Sequence, residues 1–403
     1  MPQNHPWLKP IRFHPSYTGR DAWGRDRSQP IEPCVTDYFR VEGEEVHEVA
    51  VGPVHAGIIE PGHFRFQCHG EHVFHLEIEL GYQHRGIERA LVGGPNSRTA
   101  HFMETLAGDT TIGHATAYSS IIEALGDTTP SPRAHSIRAI ALELERLANH
   151  TGDLGMLGND VGFLPTASYC GRLRGDFLNM TALLCGNRFG RNLVRPGGVR
   201  FDPTPQTLDE LKNRLGRTFD DTRNAVSLLW DTPSVMSRFD GTGVVSRQDA
   251  TKLGLVGPAA RASGVNLDVR SDLPWGGYQL HPLPSVAWHT GDVAARAYVR
   301  WFEIEKSVEF IAEELRALPA GPVAQEMRPP AGEHLAVALV EGWRGEICHV
   351  ALTDAQGRLR HYKVVDPSFH NWFGLALALR DQQVSDFPLC NKSFNLSYCG
   401  HDL

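Results

Sequence analysis

The sequence predicts an α+β fold, a central helical bundle flanked by N- and C-terminal antiparallel sheets. Three observations carry it. Apolar and polar residues alternate between His47 and Leu80, helical spacing takes over between Pro132 and Leu318, and alternation returns from Leu335 to Val365. At 403 residues the chain has room for two domains or for one large core with insertions. We read residues 1–44 as an extended arm and 45–403 as one domain.

Composition narrows the function classes. Hydrophobic residues make up 41% and charged residues 21%, as in ordinary folded proteins. With 39 basic and 47 acidic residues the net charge is -8, which gives no electrostatic case for nucleic acid or an anionic membrane surface. No apolar run reaches the roughly 18 to 20 residues of a membrane span. The start, Met1-Pro-Gln-Asn-His-Pro, lacks the basic-then-apolar layout of a signal peptide, so a cytoplasmic location is expected. The 7 cysteines are widely spread with no CxxC, which argues against a disulfide framework and against a self-contained zinc or iron–sulfur site.

In chain order, residues 1–44 are rich in Pro, His and Arg and show no period. His47 to Val51 and His63 to Cys68 read as strands around a loop from Gly52 to Gly62. After a turn at Gly70, Phe74, Leu76, Ile78 and Leu80 alternate with His75, Glu77 and Glu79, which marks a half-buried hairpin strand. After Pro132, Ile137, Ile140, Ala141, Leu144 and Leu147 form one helical face, with Arg138, Glu145 and Arg146 opposite; the Gly-rich run from Gly152 to Gly162 is the expected stop. A second helix starts at a capping-box signature, Thr207 to Glu210, with Leu208, Leu211, Leu215, Phe219 and Val226 on one face. A third spans about 292–318, burying Tyr298, Phe302, Val308, Ile311 and Leu315. The Leu273–Tyr278 stretch reads as a long loop, functional or at an interface. Strands at Leu335–Val340, Glu346–Thr353 and Leu359–Val365, then a short helix at Asn371–Leu379, complete the chain.

Ordered motifs run through this layout. They are Gly81-Tyr-Gln-His-Arg-Gly-Ile-Glu88, the Glu104–His114 stretch, Glu145-Arg-Leu-Ala-Asn-His150, and Val194-Arg-Pro-Gly-Gly198. Gly291-Asp292 follows with Arg296, Arg300, Glu303 and Ser307, then Glu341-Gly-Trp-Arg-Gly-Glu346 and Asp366-Pro-Ser-Phe369 with Asn371-Trp372. In these the chain resembles the large subunit of membrane-bound [NiFe] hydrogenases and, equally, its relative, the D-type, 49-kDa subunit of respiratory complex I. The resemblance implies a [NiFe]-hydrogenase large-subunit-like fold from about residue 45 to the end.

That family holds its metals with four cysteines, because soft thiolates suit nickel and low-spin iron. The Glu104–His114 stretch keeps the CysGlyxCysxxxHis frame through Gly108 and His114, but Ala107 and Thr110 stand at the cysteine positions. In the tail, Ser397 and Gly400 stand at the other two, with Cys399 one residue away. The resemblance therefore implies an energy-converting branch without nickel, hydrogen chemistry or any metal of its own, a cavity kept after its metal was given up.

Complex I uses that cavity as the head of a quinone site. The quinone histidine lies on the first hairpin loop, where His55 and His63 are alternatives. The quinone tyrosine maps to Gly108, and the acidic partner of the histidine maps to Asp160, which would orient an imidazole and stabilise its protonated form. Arg85 maps beside the [4Fe–4S] cluster of a neighbouring B-like small subunit. Implied partners are that small subunit, a C-like neighbour and membrane-arm subunits that move ions, with this chain peripheral on the cytoplasmic side.

Each reading has a plainer rival: a structural ion pair for Arg85, a turn or helix cap for Asp160, and a hydrogen-bonded core histidine for His114 in place of a proton relay. Three functions remain: a metal-free coupling subunit, a quinone-reducing subunit, and a scaffold whose cavity binds nothing.

Overall fold

The computed structural model describes residues 11–12, 39–55 and 59–403. Most of the expected arm lies outside the described residues. Its strand β1 (Ile11–Arg12) pairs antiparallel with Leu335 and His334 in the C-terminal sheet.

The first sheet has the order β2-β3-β4, from Val46–Val51, His63–His69 and His72–Glu79. A bulge between Gln67 and Cys68 shifts the register, so Gln67 pairs with His75 while Cys68 pairs with Val73. The alternation read in the sequence slips there. Val73 and Leu76 are buried, whereas Phe74 is 36% exposed.

Two short helices, α1 (Ile87–Leu91) and α2 (Thr99–Met103), lead to the bundle of α3 (Thr111–Leu125), α4 (Pro132–Asp160) and α5 (Leu164–Cys185). The Ser131 side chain caps α4 by accepting from Ala134 N, with proline next in line. Helix α4 ends within the glycine run, at Asp160 with Gly162 in the left-handed region beyond it, but later than the run's start: Gly152, Gly155 and Gly158 lie inside the helix. A Cβ on Gly155 would sit 2.7 Å from Cys170 Cβ, and one on Gly152 would sit 2.7 Å from Arg174 Cδ. These positions let α5 pack at close range, which outweighs the helix cost of glycine, about 1 kcal/mol each. The polar side expected for α4 is also inside: Arg138, Glu145 and Arg146 are buried. Sequence reading missed α5, whose apolar residues lack a strong period.

The ribbon β5 (Val194–Arg195) and β6 (Gly198–Val199) leads to α6 (Pro205–Trp230). Its cap is Thr204, which accepts from Thr207 N, rather than a box at Thr207; Glu210 instead pairs with Arg214 at 2.7 Å. Short helices follow: α7 (Pro233–Phe239), α8 (Arg247–Leu253), α9 (Gly257–Ala262), α10 (Val269–Asp272) and α11 (Gly277–Leu280). The stretch read as a long loop thus runs between and into two of them.

Helix α12 (Val293–Arg316) differs from expectation at its inner face. Ile311 is fully buried, but Tyr298, Phe302, Val308 and Leu315 are only half-buried, and the innermost positions belong to Arg296, Arg300, Glu303 and Ser307. The second sheet has the order β1-β7-β8-β9, with β7 at His334–Gly342, β8 at Gly345–Thr353 and β9 at Leu359–Val365. Then come α13 (Pro367–Ala378), a 3-10 turn at Val384–Asp386, α14 (Phe387–Phe394) and α15 (Tyr398–Asp402). The predicted α+β layering stands.

Candidate functional site

The fold brings the two segments of the vacated metal frame together. The first is the turn between α2 and α3, where Thr110 N donates to Ala107 O at 2.9 Å and both residues are buried. The second is the start of α15, where Ser397 Oγ accepts from Gly400 N at 3.0 Å. Arg85 ties them by donating to the carbonyls of Thr105 at 2.7 Å, Leu106 at 2.8 Å and Cys399 at 3.2 Å. Gly108 is exposed, and a Cβ there would meet nothing within 4 Å.

Ion pairs stand around these segments. Arg344, in the β7–β8 turn, is bidentate on Asp109 at 2.7 and 2.8 Å and donates to Thr110 Oγ1 at 3.3 Å. Burial opposes ionisation of Asp109, but the Arg344 guanidinium holds its pKa below the ordinary value. Asp366, the cap of α13, lies against Gly400, where a Cβ would sit 2.7 Å from the carboxyl carbon. A side chain at 400, cysteine included, would collide with this carboxylate.

A four-group chain leaves Asp366. Its Oδ2 is 3.0 Å from His114 Nε2, His114 Nδ1 is 3.0 Å from His349 Nε2, and His349 Nδ1 is 2.8 Å from the Tyr362 hydroxyl. All four are buried. Burial alone would raise the Asp366 pKa, yet the His114 contact and Arg344 bring it down to about 2. An ionised Asp366 only accepts, which puts a proton on His114 Nε2. When each imidazole carries one ring proton, every joint from Tyr362 to Asp366 is satisfied.

The site does not fit a dinuclear thiolate centre. Ala107 and Gly400 offer no donor atom, and Thr110 and Ser397 offer hydroxyls, which are poor ligands for soft metals. Burial pushes the Cys399 thiol up to about 11, helped by Glu60, so the nearest sulfur is a neutral thiol. Among the described residues no group of three or more His, Cys, Asp or Glu is arranged to hold a metal.

The hairpin loop meets the tail from outside. Glu60 accepts from Tyr398 N at 3.0 Å and Cys399 N at 3.2 Å, and Gly62 leaves room for the Tyr398 ring. His55 is exposed and bonds the Gly52 carbonyl at 2.8 Å, while His63 bonds that of Val51 at 2.5 Å. Asp160 ends α4, half-buried. Burial raises its pKa, and Lys392 and Asn159 oppose the rise. Asn159 lines a cleft of about 510 Å³ between α4 and α5 whose inner wall includes Asp109, Asn149, Asp153 and Asn395. The cleft thus reaches the flank of the vacated site.

Sequence reading missed much of the polar interior. Arg261 bonds Glu303 at 2.6 Å and Glu341 at 2.8 Å. Arg270 bonds Asp268 at 2.6 Å and Glu143 at 3.1 Å, and Glu143 also accepts from Tyr278 at 2.6 Å. The signal in the sequence was charge recurring at helical spacing on otherwise apolar helices: Glu143 and Arg146 on α4, Arg296, Arg300 and Glu303 on α12. Nothing local pointed to His349 or Tyr362.

Architecture and site together define the large subunit of a hydrogenase-like redox complex. The profile described as "Respiratory-chain NADH dehydrogenase, 49 Kd subunit" matches residues 160–331. The carbon monoxide-induced hydrogenase of Rhodospirillum rubrum is 31% identical over 350 residues, which cover 87% of this chain and 97% of that protein. NADH-quinone oxidoreductase subunit 4 of Thermus thermophilus is 31% identical over 370 residues, 85% of this chain and 90% of that one. A solved chain from the membrane-bound sulfane sulfur reductase, an archaeal respiratory membrane complex, shares the fold with a TM-score of 0.82 at 23% identity, covering 89% of this chain and 99% of its own. The chain belongs to the family of the complex I 49-kDa subunit and its hydrogenase relatives, and is a complex I-like subunit. The Thermus relative is named as a subunit and the solved chain comes from a respiratory membrane complex, while no described helix of this chain is long and apolar enough to cross a membrane.

Proposed function

We propose that this chain is the metal-free large subunit of a membrane-associated, energy-converting redox complex. It receives electrons from a neighbouring [4Fe–4S] subunit beside Arg85 and passes the change of charge to ion-moving membrane subunits, from the cytoplasmic side. The observation that carries the reading is the residue set at the four thiolate positions, which holds no sulfur, together with Asp366 lying against Gly400 where a ligand side chain would need space. Arg344 with Asp109, and His114 with Asp366, keep charged and hydrogen-bonding groups where a redox change next door would be felt. In proteoliposomes, a low-potential donor should drive ion uptake without hydrogen evolution. Hydrogen evolution, or donor oxidation with no ion uptake, contradicts the reading.

A second reading, quinone reduction, is favoured by the cleft that reaches Asp109 and Asn395. The cleft would take the ring and Asp160 would stand near its mouth, with His55 or His63 as the loop donor. Gly108 leaves this site without the tyrosine. Quinone-dependent oxidation lost in both His55→Ala and His63→Ala would establish it. A complex that neither couples nor reduces quinone would be the scaffold.

A further inference from the structure

The helical interior holds a buried imidazole with one ring nitrogen unpaired. His150 lies on the inner face of α4, fully buried, and its Nε2 is 2.9 Å from Glu303 Oε2 on α12. Glu303 takes two bonds from Arg261, at 3.0 and 2.6 Å. Although burial opposes it, the guanidinium holds its pKa far below the carboxylate range. An ionised carboxylate only accepts, so the ring proton of His150 sits on Nε2 and leaves a lone pair on Nδ1. Nδ1 has no hydrogen-bond partner, and it faces Asp153 Oδ2 at 4.0 Å. The two Asp153 oxygens already accept, from Arg300 at 2.7 Å and Asn395 at 2.6 Å. Two acceptors therefore face each other with no proton between them, which accounts for a gap about 1 Å longer than a hydrogen bond. Asp153 and Asn395 also form part of the α4–α5 cleft wall.

We propose that His150 is a proton-loading residue, taking a proton from the cleft onto Nδ1 and holding it between Asp153 and Glu303 when negative charge arrives in the cleft. In that step a hydronium ion in the cleft gives up an O–H bond, an N–H bond forms at Nδ1, and the new donor closes on Asp153 Oδ2. His150 gains one positive charge and no electron; the electron resides on a quinone ring bound in the cleft, whose added charge the imidazolium balances. The groups that face His150 are Arg146 and Asp153 from α4, Glu303 and Arg300 from α12, and the Trp343 ring at 6.1 Å. Arg261 of α9 and Arg270 of α10 act through Glu303. Burial pushes the His150 pKa down, Arg300 and Arg146 add to this, and Glu303 opposes it, so the ring is neutral at rest. One more negative charge nearby favours the imidazolium. The proposal rests on the reading that electrons reach the vacated site.

The test is proton uptake when the purified complex is reduced at an electrode through a viologen mediator, which carries no proton, in weak buffer, followed by a pH indicator. The wild type takes up protons on reduction, and His150→Gln, whose amide still donates to Glu303, loses the portion that His150 carries. Equal uptake in His150→Gln and wild type overturns the proposal while leaving the electron-transfer reading intact. A wild type whose clusters are reduced without proton uptake overturns the proposal, and clusters that the donor cannot reduce overturn the electron-transfer reading. Should the variant fail to assemble, infrared difference spectra of the unmodified complex with 15N-labelled histidine decide. Conversion of imidazole to imidazolium bands on reduction supports the proposal, and spectra without that conversion overturn it.

Discussion

Two buried polar regions lie in this molecule and are held in different ways. The site between residues 107–110 and 397–400 is held by the pair of Arg344 with Asp109 and by the linear chain from Asp366 through His114 and His349 to Tyr362. In the cluster around Glu303 each guanidinium is shared between two or more carboxylates. A local pair can be rearranged piecemeal, whereas a shared cluster fails as a unit, because removing one member leaves the others buried and unpaired.

The largest effect expected from this contrast is in the cluster. Glu303→Gln removes the negative charge shared by Arg261, Arg146 and His150 and sets an NH2 donor against either Arg261 or His150, and should cost about 3 to 5 kcal/mol, the range for breaking a buried pair. Chemical denaturation, or loss of assembly with partner subunits, checks it. A cost no larger than that of a surface pair would erase the distinction between the regions.

Next comes the pH response of the vacated site. The Asp366 pKa is depressed from 3.8 to about 2, so it contributes stability that is present above the ordinary value and lost as pH falls through about 2. The contribution is roughly 2 kcal/mol. Asp366→Asn should flatten the acid limb of a melting curve between those two values. In the cluster the sign is reversed. Burial and Asp268 raise the Glu341 pKa to about 7, so stability present below its ordinary value of 4.5 is lost as pH rises through about 7, and Glu341→Gln should remove that slope.

Smaller still is Tyr362→Phe, which removes the last joint of the His114–His349 chain and leaves His349 Nδ1 unbonded, for about 1 to 2 kcal/mol in thermal unfolding. Smallest is Arg172→Gln, whose partners Asp176 and Asp221 lie on the exposed surface. A change within about 0.5 kcal/mol is expected and sets the scale for the others.

The same contrast explains what could be read from the sequence. The strands and the helices α4, α6 and α12 announced themselves by period while α5 did not, and the non-cysteine residues Ala107, Thr110, Ser397 and Gly400 were legible because those positions sit in motifs. The bulge that turns Phe74 outward was not legible, since Phe74 is itself the extra residue and Leu76 beyond it keeps the inward place that the alternation assigns. Gly152, Gly155 and Gly158 read as a stop because glycine breaks isolated helices, and only the approach of α5 gives them a packing role. Arg138, Glu145 and Arg146 read as a solvated face because a buried guanidinium is stable only with partners, and part of the partner set lies on other helices: Glu123 of α3 for Arg138, and Glu303 of α12 beside the local Glu143 for Arg146. The His114 chain needed β8 and β9 to be in register before His349 and Tyr362 could meet.

The central claim is that ion pairs have replaced the metal. Elemental analysis of the purified complex tests it most directly. Iron should be present in the amount its partner clusters require and nickel should be absent. One nickel per complex, lost on mutating this chain, would contradict the account.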